Sequence, residues 1–393
     1  MKLALISIIA FVVFAFGIFL VLELRALILP EFDVAKTTTL PEKLQSLGGW
    51  IDRLEQADKF NGAILIAQKG EIVFERYVGI ADETGRPITP KTSFNLASVS
   101  KQFTAFAILL LAHEGRLSRD DLLTKHIPEL KGADGVTVNH LLSHTSGLHD
   151  YALDHGLAKR LKEKDTVLTP ADLIAWLGEA DQGLKFHPGE KDEYSNTNYV
   201  LLAEIIARVS GQSFADFIHS HVFEPLGMRH SAVVNKAVNT DALEDRAYGF
   251  RKRFLYFGPN VAHDLNRMDG VAGDGNIYAT ARDLVIWDRA LRDGALLPTE
   301  VYKQAYVPVR LKSGEVVQES VLGETIQPGL GWNVQDFPIV TSYGHWQAFS
   351  NFYWRNMQDD TVLVLLSNSG VFLRTAMIGE KIAGVLETLG DGK

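Results

Sequence analysis

Apolar residues dominate the start of the chain. Residues 3–22 form a run without a charged side chain, preceded only by Lys2. A helix of this length spans roughly 30 Å, the thickness of a bilayer core, and no small-residue cleavage motif of a signal peptide follows it. We therefore predict a membrane anchor or signal segment at residues 1–29, uncleaved rather than cleaved, with the membrane as a partner through residues 3–22. Lys2 favours a cytoplasmic N-terminus, which would place the rest of the chain in a periplasmic or extracytoplasmic space.

Two runs of strand character come next. A linker at residues 30–42 and a short amphipathic helix lead to the stretches GAILIAQ and EIVFERYVGI. Both stretches are rich in β-branched and aromatic residues, and Lys69-Gly70 separates them, which is a hairpin signal. The pattern predicts two antiparallel strands near the N-terminal end of the folded body.

Strand signals return only near the C-terminus. The stretches NFYWRN and TVLVLLSN flank a turn, and a last apolar helix is predicted to begin near Phe372. The middle of the chain has helical periodicity with turn-rich connections. We predict an α+β fold within one domain at residues 43–393: about five antiparallel strands from residues 61–80 and 342–368, flanked by terminal helices, with a mostly helical subdomain at about 98–300.

Composition excludes several classes of function. The 393 residues are 46% hydrophobic and 22% charged, as expected of a globular protein, and the formal net charge of −9 argues against a nucleic-acid partner. The chain has no cysteine, so disulfides, thiolate metal sites and a cysteine nucleophile are excluded. We predict no cofactor.

One pair of polar residues introduces the most apolar helix of the middle region. In the stretch NLASVSKQFTAF, Ser98 and Lys101 are three residues apart, so their side chains can touch on one helical turn. Serine is an ordinary helix N-cap. A lysine in an apolar setting is different, because an unpaired buried charge is costly. Lys101 is therefore expected to have partners elsewhere in the chain.

A second motif supplies candidate partners. Tyr194-Ser195-Asn196 lies on a turn-like segment before a long amphipathic helix. With Ser98-x-x-Lys101 and this Tyr-x-Asn, the chain resembles the serine β-lactamase and penicillin-binding protein superfamily, in particular the class C-like branch of β-lactamase-related serine hydrolases, esterases and D-amino-acid peptidases. The resemblance covers roughly residues 45–390 and includes the stretches VNHLLSHTSGL and GDGNIYATARDLVIW. It implies a β-lactamase/transpeptidase-like fold.

The resemblance also implies roles for these residues. Ser98 would be acylated, Lys101 and Tyr194 would move protons as a neutral amine and an ionised phenol, and Asn196 would bind Lys101 and the substrate amide. A serine hydroxyl needs such a neighbouring base to become a nucleophile. The chain lacks the Gly-x-Ser-x-Gly motif of Ser-His-Asp hydrolases. The predicted activity is hydrolysis of an ester, an amide or a strained lactam in a small-molecule or peptide substrate.

The third motif of the superfamily is altered. Members usually carry Lys-Thr-Gly or His-x-Gly on the strand beside the cleft, whereas this chain has SYGHWQAFSNFYWRN. Either His345 fills the superfamily's His position with a deletion behind it, or the residues after it align and His345 replaces a glycine. We expect His345 and Trp346 to bind substrate. Gln347 is expected to project beside the scissile carbonyl and to disfavour bulky bicyclic lactams.

Three alternative interpretations are less well supported. His140 and His144 lie four residues apart, but no His-Glu-x-x-His pattern or third ligand accompanies them, so no metal is predicted. The stretch GVAGDGN lacks the signature of a phosphate-binding loop and is interpreted as a tight loop near the cleft. A non-catalytic, membrane-anchored binding or scaffold protein that keeps the penicillin-recognising fold is the alternative function, because the third motif is altered.

Overall fold

A computed structural model describes residues 2–32, 39–179 and 183–387, with the side chains of the first helix from Val13 onward. The strands are β1 (Gly62–Gln68), β2 (Glu71–Val78), β3 (Phe94–Asn95), β4 (Ala232–Val233), β5 (Phe250–Lys252), β6 (Asn260–Ala262), β7 (Ile277–Ala279), β8 (Glu319–Val321), β9 (Glu324–Pro328), β10 (Asn333–Val334), β11 (Ile339–Trp346), β12 (Phe349–Asn356) and β13 (Thr361–Ser367).

The α-helices are α1 (Lys2–Leu27), α2 (Leu40–Gln56), α3 (Lys101–His113), α4 (Leu123–His126), α5 (Val138–Leu142), α6 (His155–Lys164), α7 (Pro170–Gly178), α8 (Asn196–Ser210), α9 (Phe214–Ile218), α10 (Glu224–Leu226), α11 (Ala281–Asp293), α12 (Thr299–Tyr302) and α13 (Phe372–Glu387). Short 3₁₀ segments lie at Ala97–Ser100, Tyr151–Leu153 and Lys303–Tyr306, and a π-helical turn lies at His219–Phe223.

The two ends of the folded body share one sheet. Within the described residues its eight antiparallel strands have the order β2-β1-β13-β12-β11-β10-β9-β8. The central pairing joins β1 to β13, from Gly62 opposite Ser367 to Gln68 opposite Thr361. Lys69 and Gly70 connect β1 to β2 with φ values of 54° and 83°, as a two-residue hairpin turn requires. The prediction of an antiparallel sheet from both chain ends is confirmed.

Alternation along the central strands gives the sheet two buried faces. Ile64 and Leu365 pack with α2 and α13, and their neighbours Leu65 and Val364 pack with the helical region. Successive side chains of a strand point to opposite faces. A strand covered by helices on both faces is therefore apolar throughout, which explains the uninterrupted runs in β1 and β13.

The helical region between the strands is built around α3. Residues 101–111 of this helix are all buried, Lys101 included. A helix that is apolar on every face is stable only when other elements surround it. A small sheet of order β3-β7-β4 also lies in this region. Because β3 and β4 contain two residues each, they have no periodicity from which a strand could be predicted.

The sheet is wider than predicted. The additional strands β8, β9 and β10 extend it beyond β11. These strands are short, and most residues of β8 and β9 are partly or fully exposed. They lack the alternation of buried and exposed residues on which a sequence-based prediction depends.

The prediction of a transmembrane helix is wrong. In the part of the chain that the structure describes, no helix is both long and apolar enough to cross a membrane. The membrane partner expected through residues 3–22 therefore has no support. The boundaries at 1–29, 30–42 and 43–393 stay predictions, and residues 33–38 of the linker lie outside the described residues.

One glycine sets the distance between the sheet and the start of α3. A Cβ atom on Gly344 of β11 would lie 2.3 Å from the backbone oxygen of Leu96. Leu96 immediately precedes the 3₁₀ turn that leads into α3. Only glycine therefore allows β11 to approach this turn so closely.

We expect Gly344→Ala to lower the free energy of unfolding by about 1–3 kcal/mol, the usual cost of overpacking. The measurement is urea unfolding, in which the midpoint should fall while the slope stays unchanged. Gly384→Ala is the control, since no atom lies within 4 Å of a Cβ there and Gly384 is exposed within α13. That control should gain about 0.5–1 kcal/mol. An unchanged midpoint for Gly344→Ala would contradict the assigned close contact.

Candidate active site

Ser98 lies at the junction of the sheet and the helical region. It belongs to the 3₁₀ turn Ala97–Ser100 that runs directly into α3. Ala97 has a φ of 49°, which is uncommon for a residue other than glycine, and its N–H donates to Asn95 Oδ1 at 2.8 Å. The strained turn presents Ser98 to the cleft, and backbone strain of this kind is often found at functional sites.

Lys101 is a buried cation with three acceptors. Its side chain lies one turn after Ser98, and the residue is 2% exposed. Nζ donates to Ser98 Oγ at 3.2 Å, to Asn196 Oδ1 at 3.0 Å and to the backbone oxygen of Asp274 at 2.6 Å. An ammonium group has three N–H donors and no acceptor. The three contacts match these three donors. The neutral amine inferred from the resemblance stays a prediction.

Tyr194 completes the arrangement around Ser98. Its hydroxyl oxygen lies 2.7 Å from Ser98 Oγ, and Lys101 Nζ lies 5.0 Å from the centre of its ring. Because Lys101 donates to Ser98 Oγ, the hydroxyl proton of Ser98 can point toward the Tyr194 oxygen. Tyr194 is 44% exposed as a whole residue, and it borders both cavities beside Ser98.

The ring of His144, a neutral histidine, packs against the ring of Tyr194. The His144 ring lies 4.5 Å from the Tyr194 ring, centre to centre, and His144 Nδ1 accepts a hydrogen bond from the Ser195 N–H at 3.2 Å. Burial, together with the nearby charge of Lys101, lowers the pKa of His144 to about 3. His144 is therefore uncharged at neutral pH and acts as an acceptor that fixes the backbone beside Tyr194.

Asn196 and Asp274 are themselves held by other residues. Asn196 begins α8, and its Nδ2 donates to Asp150 Oδ2 at 3.1 Å. Tyr151 donates its hydroxyl proton to Asp274 Oδ2 at 2.7 Å. Burial raises the pKa of Asp274 above its usual value, whereas Lys101 and the Tyr151 hydrogen bond lower it. The loop predicted to lie near the cleft thus provides both a backbone acceptor and a buried carboxyl group.

Two small cavities flank Ser98. One, of about 90 Å³, is lined on the sheet side by His345 and Trp346. The other, of about 70 Å³, is lined by Ser342, Tyr343 and Trp332, among other residues. Residues of β11 therefore line both cavities beside Ser98.

The two predicted substrate-binding residues of β11 form hydrogen bonds with different parts of the protein. Trp346 Nε1 donates to Asp269 Oδ1 at 2.5 Å, and burial raises the pKa of Asp269 to about 6. His345 Nδ1 lies 3.1 Å from Ser350 Oγ on the neighbouring strand. Both side chains are thus held while they border the cavity.

The structure places Gln347 in a turn. Gln347 and Ala348 form the two-residue turn between β11 and β12, in which Trp346 pairs with Phe349. Gln347 has a φ of 54° and lines neither of the two cavities beside Ser98. Gln347 therefore belongs to the turn at the end of β11 and not to the strand residues that border Ser98, and its effect on bulky substrates stays a prediction.

The structure brings all six predicted site residues together, and it adds others that sequence reasoning missed. The additional residues are His144, Asp150, Tyr151, Asp269 and Asp274. His144 and Asp274 lie in the stretches VNHLLSHTSGL and GVAGDGN, to which sequence reasoning assigned no catalytic role, and Asp150, Tyr151 and Asp269 lie just outside these stretches. Nothing in local periodicity indicates which distant side chain a buried carboxylate or phenol will contact.

Comparisons with known proteins agree with this geometry. A model of the Beta-lactamase family matches residues 50–381. Penicillin-binding protein 4* of Bacillus subtilis (strain 168) is 34% identical over 337 residues, which are 83% of this chain and 72% of that protein. Esterase EstB of Burkholderia gladioli is 39% identical over 186 residues, which are 44% of this chain and 47% of the esterase.

A solved structure shares the fold. The octameric penicillin-binding protein homologue from Pyrococcus abyssi superimposes with a TM-score of 0.74 at 26% identity, covering 88% of this chain and 77% of that one. The family match extends over β1, the Ser98 turn, α8 and β13, and so includes every element that forms the cleft. The chain belongs to the Beta-lactamase family.

Proposed function

We propose that the chain is a serine hydrolase that cleaves esters or amides through an acyl-enzyme on Ser98. The observation that carries this proposal is the contact of Ser98 Oγ with both Tyr194 Oη, at 2.7 Å, and Lys101 Nζ, at 3.2 Å. A serine with a base and a cation at these distances meets the geometric requirement for nucleophilic catalysis.

In the acylation step, the phenolate of Tyr194 takes the hydroxyl proton as Ser98 Oγ attacks the substrate carbonyl carbon. The new carbon–oxygen bond forms while the carbonyl π bond breaks, which gives a tetrahedral oxyanion. Collapse of this intermediate expels the alcohol or amine, which receives the proton from Tyr194. Before the proton transfer and after the leaving group has taken the proton, the positive charge of Lys101 stabilises the phenolate, because Nζ lies 5.0 Å from the ring centre.

In the deacylation step, water takes the place of the leaving group. Tyr194 accepts a proton from the water molecule as the water oxygen attacks the acyl carbon. Tyr194 then gives this proton to Ser98 Oγ when the ester bond to the serine breaks. The products are a carboxylic acid and the free serine. In each step, Tyr194 thus first takes a proton from the nucleophile and then gives it to the leaving group.

The oxyanion is proposed to be bound by backbone N–H groups. Ser98 supplies one N–H. The second comes from β11, because residues 342–346 pair with β12 on one edge and have no strand partner on the other in the described structure. Donors of this kind contribute on the order of a hundredfold in rate each.

The small cavities beside Ser98 support slender acyl groups, and the similarity to Esterase EstB supports esters as substrates. The alternative of a non-catalytic scaffold rested on the altered third motif. That alternative loses its main support because Gln347 lies in the turn while β11 still borders Ser98.

Ser98→Ala is expected to abolish covalent labelling by a serine-reactive fluorophosphonate without loss of folding. Intact-protein mass spectrometry measures the label, and circular dichroism measures the fold. The matched control is Ser195→Ala, since Ser195 adjoins Tyr194 but its buried Oγ has no hydrogen-bond partner. The control should be labelled like the wild type. Labelling that persists in Ser98→Ala would refute the assignment of the nucleophile.

His144 is expected to make the fold acid-sensitive. Its pKa is about 3 in the folded state and about 6.5 in an unfolded chain. Between these values the unfolded state binds more protons, so the free energy of unfolding falls as the pH falls, by at most about 1.4 kcal/mol per pH unit. From pH 6 to pH 4 the contribution of His144 should fall by about 2 kcal/mol.

The test is to compare urea unfolding of the wild type and His144→Asn at pH 6 and pH 4. Asparagine tolerates the left-handed backbone at this position, where φ is 57°, and it cannot be protonated. The variant should be less stable at pH 6, and the difference should shrink at pH 4. The exposed His155 serves as the control, and His155→Asn should leave the acid sensitivity intact. An equal acid sensitivity in His144→Asn and the wild type would contradict the assignment.

A further inference from the structure

Two adjacent residues hold two of the three acceptors of Lys101. Asp150 binds Asn196, and Tyr151 binds the side chain of Asp274. Asn196 Oδ1 and the backbone oxygen of Asp274 are the acceptors that Lys101 has apart from Ser98. The dipeptide Asp150-Tyr151 therefore controls most of the environment of the ammonium group.

Asp150 fixes the direction in which the Asn196 amide points. Nδ2 of Asn196 donates to Asp150 Oδ2 at 3.1 Å, and this leaves Oδ1 directed at Lys101 Nζ at 3.0 Å. A rotated amide would place its NH₂ group against the ammonium and its oxygen against the carboxylate. Both contacts would be repulsive, because a carboxylate only accepts and an ammonium only donates. Asp150 thus selects the single useful orientation of Asn196.

Tyr151 performs the corresponding task for Asp274. Its hydroxyl donates to Asp274 Oδ2 at 2.7 Å, and burial followed by the charge of Asp274 raises the pKa of Tyr151 well above its usual value. The phenol therefore stays protonated and remains a donor. Fixing this carboxyl group restrains the residue whose backbone oxygen lies 2.6 Å from Lys101 Nζ.

The dipeptide is itself held rigidly. Asp150 Oδ1 accepts the Ala152 N–H at 3.1 Å and so caps the 3₁₀ segment Tyr151–Leu153. The Tyr151 N–H donates to Thr197 Oγ1 at 2.9 Å, on the residue after Asn196. Asp150 and Tyr151 are 7% and 2% exposed. Hydrogen bonds thus fix Asp150 and Tyr151 relative to the start of α8, where Asn196 lies.

We propose that Asp150 and Tyr151 are positioning residues that hold the Lys101 ammonium against Ser98 through Asn196 and Asp274. They act through these two residues and do not take part in bond changes. The inference rests on the proposed function and deepens it, since it names what sets the geometry and charge of the proton-transfer site. Removal of Asp150 should therefore affect turnover more than substrate affinity.

The experiment compares three variants of the full chain on a p-nitrophenyl ester. Asp150→Ala removes the charge and both hydrogen bonds of the carboxylate. Asp150→Asn removes the charge but keeps one oxygen that can accept from Asn196, at the expense of the hydrogen bond from the Ala152 N–H. Asp154→Ala is the matched control, because Asp154 caps the next helix through the Leu157 N–H at 2.6 Å and has no contact with the site. Thermal unfolding monitors the fold of each variant.

We expect Asp150→Ala to lower kcat by about a hundredfold, within the range of lost acid–base catalysis, with KM changed less than threefold. Asp150→Asn should recover at least about tenfold of this loss, because it can still accept from Asn196. Asp154→Ala should keep the wild-type kcat. Equal kcat values for Asp150→Ala and Asp154→Ala, or no recovery in Asp150→Asn, would overturn the proposal.

A second variant covers the case in which Asp150→Ala does not fold. Tyr151→Phe keeps the ring and removes only the hydroxyl that binds Asp274, and it should lower kcat by about tenfold with the fold retained. A wild-type kcat in folded Tyr151→Phe would overturn the role of Tyr151. Failure of the proposed function gives a different result, since the wild type itself would then neither react with the fluorophosphonate nor hydrolyse the ester.

Discussion

The structure depends on one buried ammonium group. Lys101 is almost fully removed from water, and such a charge is tolerated only when hydrogen bonds replace its hydration. Its three acceptors come from three separate segments: the 3₁₀ turn with Ser98, the start of α8 with Asn196, and the loop with Asp274. The need to satisfy one cation therefore brings the parts of the active site together, with Ser98 Oγ as one of the required partners.

The sheet and the helical region each contribute to this arrangement. The helical region carries Lys101, Tyr194 and the residues that hold them, whereas β11 from the sheet forms the opposite wall of the cleft. Gly344 permits the two to meet, because any side chain there would collide with Leu96. A cleft at such a junction is a common position for a ligand site, and here close packing fixes its width.

Sequence reasoning succeeded where the signal is local or strongly periodic. Ser98 and Lys101 share a helical turn, and β1 and β13 are apolar runs bounded by turn residues. It failed where partners are distant in the chain. Nothing near Asp150 indicates that its carboxylate meets Asn196, and the short, partly exposed strands β8 and β9 lack alternation. Gln347 was expected beside the scissile carbonyl, whereas the structure places it in the two-residue turn between β11 and β12.

The central claim is that Lys101 and Tyr194 act on Ser98 as one proton-transfer unit. The most direct measurement is kcat/KM for ester hydrolysis by Lys101→Ala, Tyr194→Phe and the double variant. If the two residues act together, the double variant should be about as slow as the slower single variant, because residues of one catalytic unit are strongly non-additive. Losses that multiply in the double variant would show that the two residues act independently and would contradict the account.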